Sequence, residues 1–127
     1  MAVVYPKKIL IVDDEPDVLV SLRNILQRAN FIVFTAATGE EALEIALSKL
    51  PDLIFLDIVL PGMEGSEVAA ALLENPKTAQ IPIVFLTGII NKEEESLPGV
   101  KSGRHYVLAK PASKEDILAM IQNILPA

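Results

Sequence analysis

The feature that most constrains the fold is a series of five short apolar runs separated by segments of helical periodicity. The runs are continuously apolar and rich in β-branched residues, which is the pattern of strands buried on both faces. They cover residues 7–14, 31–36, 53–57, 81–88 and 106–110. Strands that alternate with helices form a parallel sheet through right-handed crossovers. We therefore predict one α/β domain over residues 1–127, with a doubly wound parallel sheet and helices on both faces. Acids that end the first and third runs would meet where the strand order reverses, as in the 2-1-3-4-5 order of flavodoxin-like sheets.

Four helices are predicted from apolar residues that recur every three or four positions. Their inward-facing residues are Val18, Leu19, Leu22, Ile25, Leu26 and Ala29; Ala42, Leu43, Ala46, Leu47 and Leu50; Val68, Leu72 and Leu73; and Ile117, Leu118, Ile121, Ile124 and Leu125. Thr38 with Glu41 has the spacing of a capping box, and Ser113 begins the last helix. Only a short or irregular helix is expected within residues 91–97, because Pro98 and Gly99 break the pattern.

Composition excludes several functional classes. The chain has no cysteine, which rules out disulfides, thiolate zinc sites and a cysteine nucleophile. A formal charge of −6 and the absence of tryptophan argue against nucleic-acid binding by this domain. No signal peptide or membrane-spanning run is visible, so a cytoplasmic protein without membrane contact is expected.

Polar side chains stand at the ends of the predicted strands. Asp13 and Asp14 end the first, Asp57 the third, Thr87 the fourth and Lys110 the fifth. In open α/β sheets this edge binds ligands. Clustered carboxylates repel one another and need a cation, and their hard oxygen ligands favour Mg²⁺, or alternatively Mn²⁺, over zinc.

The predicted cluster is suited to phosphoryl transfer. With a cation present, the Asp57 carboxylate would be a nucleophile that forms an acyl phosphate. The Thr87 hydroxyl and the Lys110 ammonium would each contact a phosphoryl oxygen. Taken singly, each residue also has a structural interpretation, such as a helix cap for the aspartate pair or a solvated strand end for Lys110.

Four motifs together resemble the receiver domain of two-component response regulators. They are Val12-Asp13-Asp14, Asp57 with the stretch LPGMEG at 60–65, Leu86-Thr87-Gly88, and Lys110-Pro111. The resemblance implies that Asp57 accepts a phosphoryl group from a sensor histidine kinase or a histidine phosphotransfer protein. It also implies that the domain has no enzymatic activity beyond self-catalysed phosphotransfer and autodephosphorylation.

The resemblance further implies a ligand set and a backbone geometry. Asp14, Asp57 and the Val59 carbonyl would bind Mg²⁺ directly, and Asp13 would reach the ion through water. The Lys110–Pro111 peptide bond would be cis, an isomer found essentially only before proline.

Two features depart from the family pattern. Val107 occupies the position where receivers usually carry a switch aromatic residue, and Tyr106 lies one residue earlier. A shift of one residue on a strand moves a side chain to the opposite face. The break at Pro98 and Gly99 falls in the helix that normally helps to form the output surface.

Two alternative functions stay open, the first because of the altered switch position and the second because such an enzyme could also use an aspartyl phosphate. One is a pseudo-receiver that binds partners without turning over phosphate. The other is a metal-dependent phosphohydrolase, although Val59 stands where such an enzyme would carry a second acid. The cognate kinase, the output, a phosphorylation-dependent homodimer and the presence of further domains are not determined by the sequence.

Overall fold

The five apolar runs form five parallel strands. The computed structural model describes residues 6–88, 105–110 and 112–125. The strands are β1 (Lys8–Val12), β2 (Ile32–Ala36), β3 (Leu53–Asp57), β4 (Ile83–Thr87) and β5 (His105–Ala109). Their order in the sheet is β2-β1-β3-β4-β5. The predicted parallel sheet and its strand order are confirmed.

The strand register brings the carboxyl ends of the central strands to one edge. Val12 pairs with Leu56 on β3, and Asp57 pairs with Leu86 on β4. Thr87 pairs with Ala109 at the end of β5. The residue that follows each strand therefore emerges at the same edge of the sheet.

The described helices are α1 (Pro16–Arg28), α2 (Gly39–Lys49), α3 (Gly65–Glu74) and α4 (Lys114–Ile124). Ser113 and Asp116 form a complete capping box at the start of α4. At α2, the Thr38 hydroxyl accepts a hydrogen bond from the Glu41 N–H, but the Glu41 carboxylate accepts from the Ala37 N–H instead of closing the predicted box. None of these four helices has the length and apolar composition that crossing a bilayer requires.

Each face of the sheet carries its own apolar cluster. Side chains from α2 and α3 pack with Leu10, Ile54 and Phe85 on one face. Side chains from α1 and α4 pack with Ile11 and Phe55 on the other. Because successive residues of a strand point to opposite faces, the continuously apolar strands supply both clusters.

Three residues predicted to face inward are instead exposed. Leu47, Leu50 and Leu73 are 42%, 44% and 54% exposed. Leu50 lies beyond the last turn of α2, with a left-handed backbone conformation, so helical periodicity no longer applies to it. Leu73 follows the buried Leu72 by one helical step of about 100°, which turns it away from the sheet. The helix predicted within residues 91–97 lies outside the described residues.

Candidate functional site

Asp57 is held at the tip of β3 by groups on both sides of its carboxylate. It is the last residue of the strand and is 6% exposed. Its Oδ1 accepts a hydrogen bond of 3.2 Å from the Val59 N–H, and its Oδ2 accepts one of 3.2 Å from Lys110 Nζ. The carboxylate is therefore fixed in orientation while it stays close to the surface.

Asp13, Asp14 and Asp57 form one acidic cluster. Each offers a carboxylate oxygen, and these oxygens lie within 4.8 Å of one another. Asp13 is fully buried, and its Oδ1 accepts a hydrogen bond of 2.9 Å from the Glu15 N–H. Asp14 is exposed, so the cluster opens to solvent on its side. The three acids predicted from the strand ends are thus brought together.

Lys110 is the positive group of this cluster. Its backbone N–H donates to the Thr87 carbonyl over 2.8 Å, which fixes the residue just after β5. Its Nζ lies 2.6 Å from Asp13 Oδ2, 3.2 Å from Asp57 Oδ2 and 3.5 Å from Glu15 Oε1. The contact with Asp13 Oδ2 is the shortest of the three, and it gives this fully buried carboxylate a positive partner.

Burial and neighbouring charge shift the protonation of both Asp57 and Lys110. Burial raises the pKa of Asp57 above its ordinary value of 3.8, and the charge of Asp13 raises it further, while the Val59 N–H and Lys110 oppose the rise. Burial by itself lowers the pKa of Lys110, but its contacts with Asp13 and Asp57 outweigh this and raise the pKa overall. The site thus favours the charged form of Lys110, and it makes ionisation of Asp57 less favourable than that of a free carboxyl group.

Thr87 lies beside Asp57 at the end of the neighbouring strand. It is 8% exposed and is the last residue of β4, one position beyond the residue that pairs with Asp57. The alternation along β4 places Thr87 on the same face as Phe85, which packs in the α2 and α3 cluster. The Thr87 hydroxyl is therefore at the predicted edge and next to the predicted acceptor strand.

Val107 and Tyr106 lie on opposite faces of β5. Val107 pairs with Phe85 and packs on the face shared by Thr87. Tyr106 pairs with Val84 and packs in the α1 and α4 cluster. The register is continuous through both residues, so no bulge brings Tyr106 to the Thr87 face.

The loop after Asp57 packs closely beneath the site. The Gly65 N–H donates to the Ile58 carbonyl over 2.8 Å. A Cβ at Gly65 would overlap the Asp57 carbonyl oxygen and lie 2.9 Å from the Ile58 Cα. This close backbone approach requires glycine at position 65.

Asp13, Asp14, Asp57 and Lys110 lie together as predicted from the strand ends. Two further contacts were not predicted from the sequence, namely that of Glu15 with Lys110 and the packing of Gly65 beneath Asp57. The Glu15 contact depends on where the Lys110 side chain extends, which no local pattern gives. The glycine was visible in the LPGMEG stretch, but its packing role was not. Pro111, and with it the predicted cis peptide, lies outside the described residues.

The donor set fits a hard divalent cation. Three carboxylates offer oxygens that lie within 4.8 Å of one another, and the Lys110 ammonium beside them balances only part of their charge. Carboxylate oxygens are the ligands that Mg²⁺ prefers, and a solvent-facing side lets the ion keep several waters. Asp13, Asp14 and Asp57 are thus residues that could hold such an ion.

Comparison with known proteins identifies the family. Residues 9–122 match the response regulator receiver domain, and the chain belongs to that family. Receiver domains are signalling modules of two-component systems and are phosphorylated by histidine kinases.

Individual similar proteins agree with this assignment. The alkaline phosphatase synthesis transcriptional regulatory protein PhoP of Bacillus subtilis is 38% identical to this chain over 119 residues, which are 94% of this chain. The chain spans about half (48%) of the length of that relative. The chemotaxis protein CheY4 of Vibrio cholerae has a TM-score of 0.88 and 32% identity, covering 95% of this chain and 100% of that one.

A third similar structure comes with a bound metal. The receiver domain of the Pseudomonas aeruginosa sensor histidine kinase PA1611 has a TM-score of 0.86 and 22% identity, covering 97% of this chain and 100% of that one, so it supports the fold alone. That protein holds a magnesium ion coordinated in its active site cleft.

Proposed function

We propose that this chain is a phosphoacceptor receiver in which Asp57 takes a phosphoryl group from a sensor histidine kinase or a histidine phosphotransfer protein. The observation that carries the proposal is the placement of the Asp57 carboxylate between an acidic cluster and the Lys110 ammonium, 3.2 Å away. In the transfer, the P–N bond of a phosphohistidine breaks and a P–O bond to Asp57 forms. The domain is proposed to act in the cytoplasm and to catalyse only its own phosphorylation and dephosphorylation.

The residues around Asp57 supply orientation and charge for this step. The Val59 N–H fixes the carboxylate, and Lys110 is close enough to pair with a phosphoryl group bound there. The Thr87 hydroxyl is proposed to donate to another phosphoryl oxygen. Because the phosphoryl group carries most of the developing charge, catalysis here consists of positioning and electrostatic stabilisation.

Mg²⁺ is the proposed cofactor, with Mn²⁺ as a substitute. Asp14, Asp57 and the Val59 carbonyl are the proposed direct ligands, and Asp13 is proposed to bind through water. When bound, the ion neutralises charge on the phosphoryl oxygens and on the carboxylates. The exposed Asp14 and the loop at Val59 leave room for water and substrate on the open side.

Phosphorylation of Asp57 is proposed to shift the population of a neighbouring surface, because a new group of about −1.5 to −2 charge redistributes the contacts of Lys110 and Thr87. Val107 shares the Thr87 face where receivers usually carry an aromatic residue. We therefore expect the change to pass from Thr87 without rotation of an aromatic ring.

Intact-mass measurement after incubation with acetyl phosphate and Mg²⁺ tests the proposal. We expect one phosphate adduct on the wild-type chain and none on Asp57→Asn, and beryllofluoride with Mg²⁺ should bind the wild type alone. Absence of any adduct on the wild type would instead support the pseudo-receiver alternative. An adduct that persists in Asp57→Asn would show that another residue is the acceptor. A panel of purified histidine kinases would then identify the donor.

A further inference from the structure

Glu15 occupies a capping position without using its side chain as a cap. It is the residue immediately before α1, and its carbonyl accepts from the Val18 and Leu19 N–H groups. Its carboxylate makes no capping hydrogen bond, although side chains at this position commonly do. Instead, Oε1 lies 3.5 Å from Lys110 Nζ. The side chain therefore points to the site and not to the helix that it begins.

Lys110 is shared by three carboxylates that differ in what else they do. Asp57 is the proposed acceptor, and Asp13 is buried within the proposed metal cluster. Glu15 is 64% exposed and lies at the rim of the site, on a cavity of about 470 Å³ that Lys110 and Asp17 also line. Glu15 is thus the one of these three partners that can leave Lys110 without disturbing the core of the site.

A phosphoryl group on Asp57 changes the balance among these contacts. It replaces the single negative charge of the Asp57 carboxylate with about −1.5 to −2, and it places three acceptor oxygens beside an ammonium that also contacts Asp13 and Glu15. An ammonium has only three N–H groups to donate. The phosphoryl oxygens extend beyond the Asp57 carboxylate that they replace as a partner, so an ammonium that follows them is drawn away from one of its two other contacts. The exposed contact with Glu15 is the easiest to give up.

We propose that Glu15 is a positioning residue that holds the Lys110 ammonium in its resting place and competes with the incoming phosphoryl group for it. This inference rests on the proposed phosphorylation of Asp57. Removing the Glu15 charge then frees Lys110 and favours both phosphorylation and the binding of a phosphoryl mimic. Because the ion pair is exposed, its loss should change the phosphorylation rate or the dissociation constant by about 2- to 5-fold.

The experiment compares Glu15→Gln with Asp17→Asn. Both variants remove one negative charge from the start of the same helix beside the same cavity, but Asp17 has no contact with Lys110 among the contacts of the described residues. The readouts are the rate of phosphorylation by acetyl phosphate with Mg²⁺ and the dissociation constant of beryllofluoride. Circular dichroism melting checks that each variant is folded.

We expect Glu15→Gln to raise the rate and to tighten beryllofluoride binding by about 2- to 5-fold relative to Asp17→Asn. A double-mutant cycle with Lys110 then separates the effect of the Glu15–Lys110 contact from the effect of removing any negative charge near the site. In a Lys110→Ala background, Glu15→Gln should have no more effect than Asp17→Asn. The advantage should also shrink as salt is raised, because the contact is exposed.

Two results would overturn the positioning role while leaving Asp57 as the acceptor. One is equal behaviour of Glu15→Gln and Asp17→Asn, and the other is an effect of Glu15→Gln that persists without Lys110. A wild-type chain that forms no adduct and binds no beryllofluoride would overturn the proposed function and this role together.

Discussion

Gly65→Ala tests how strictly the backbone beneath Asp57 is packed. The new Cβ would overlap the Asp57 carbonyl oxygen and approach the Ile58 Cα to 2.9 Å and the Asp57 carbonyl carbon to 3.2 Å. All three contacts are with backbone, so no side chain can rotate away to relieve them. Either the Asp57 end of β3 or the start of α3 must move, and the 2.8 Å hydrogen bond from the Gly65 N–H to the Ile58 carbonyl is weakened.

The expected cost has two parts. Overpacking of this kind destabilises a protein by about 1–3 kcal/mol, which for a domain of this size lowers the Tm by about 4–12 °C. A displaced Asp57 carboxylate should also slow phosphorylation by about 10-fold or more, because reacting groups misplaced by about 1 Å lose about 100-fold in rate.

Gly88→Ala is the matched control. It follows β4 at the same edge of the sheet, and a Cβ there would meet no atom of the described residues within 4 Å. Melting followed by circular dichroism and phosphorylation by acetyl phosphate should both separate the two variants. If Gly65→Ala and Gly88→Ala melted and reacted alike, the argument from close packing beneath Asp57 would be wrong.

Two further predictions concern the charge of the acidic cluster. Asp57→Asn should raise the Tm in metal-free buffer at pH 7, because burial and Asp13 raise the pKa of Asp57 in the folded state and make its ionised form costly. The gain in Tm should disappear as the pH falls through that pKa toward 3.8. A gain in Tm that does not depend on pH would refute this cause. Asp14→Asn should reduce the Mg²⁺-induced rise in Tm, which for the wild type at ten times the dissociation constant corresponds to about 1.4 kcal/mol. An equal rise in wild type and Asp14→Asn in a Mg²⁺ titration would remove Asp14 from the ligand set.

The sequence predicted which side chains lie together where position along a strand determines geometry. A polar residue that ends a buried strand must emerge at the carboxyl edge of a parallel sheet, so Asp13, Asp57 and Lys110 could be placed together without coordinates. Because successive side chains of a strand point to opposite faces of the sheet, the sequence also placed Tyr106 and Val107 on opposite faces, as they lie in the structure.

Features that depend on side-chain reach or on the exact end of a helix were not predictable in this way. The Glu15 contact depends on where the Lys110 ammonium lies, and these two residues are far apart in the sequence. Leu50 is exposed because α2 ends just before it. Helical periodicity predicts which way a side chain points, but it does not predict the residue at which the helix ends. The packing of Gly65 depends on the path of a loop that local residue preferences only partly determine.

The charge of the site explains why phosphorylation and metal binding should be coupled. In the structure, one ammonium faces Asp13, Asp57 and Glu15, with Asp14 beside them, so negative charge is already in excess before any phosphoryl group arrives. A phosphoryl group on Asp57 adds about −0.5 to −1 beyond the carboxylate charge that it replaces. Lys110 can move toward that group by giving up its exposed contact with Glu15, but it remains shared between the phosphoryl group and the buried Asp13. A divalent cation held by the acidic cluster would offset this excess of negative charge, so we expect phosphorylation of Asp57 to depend on Mg²⁺.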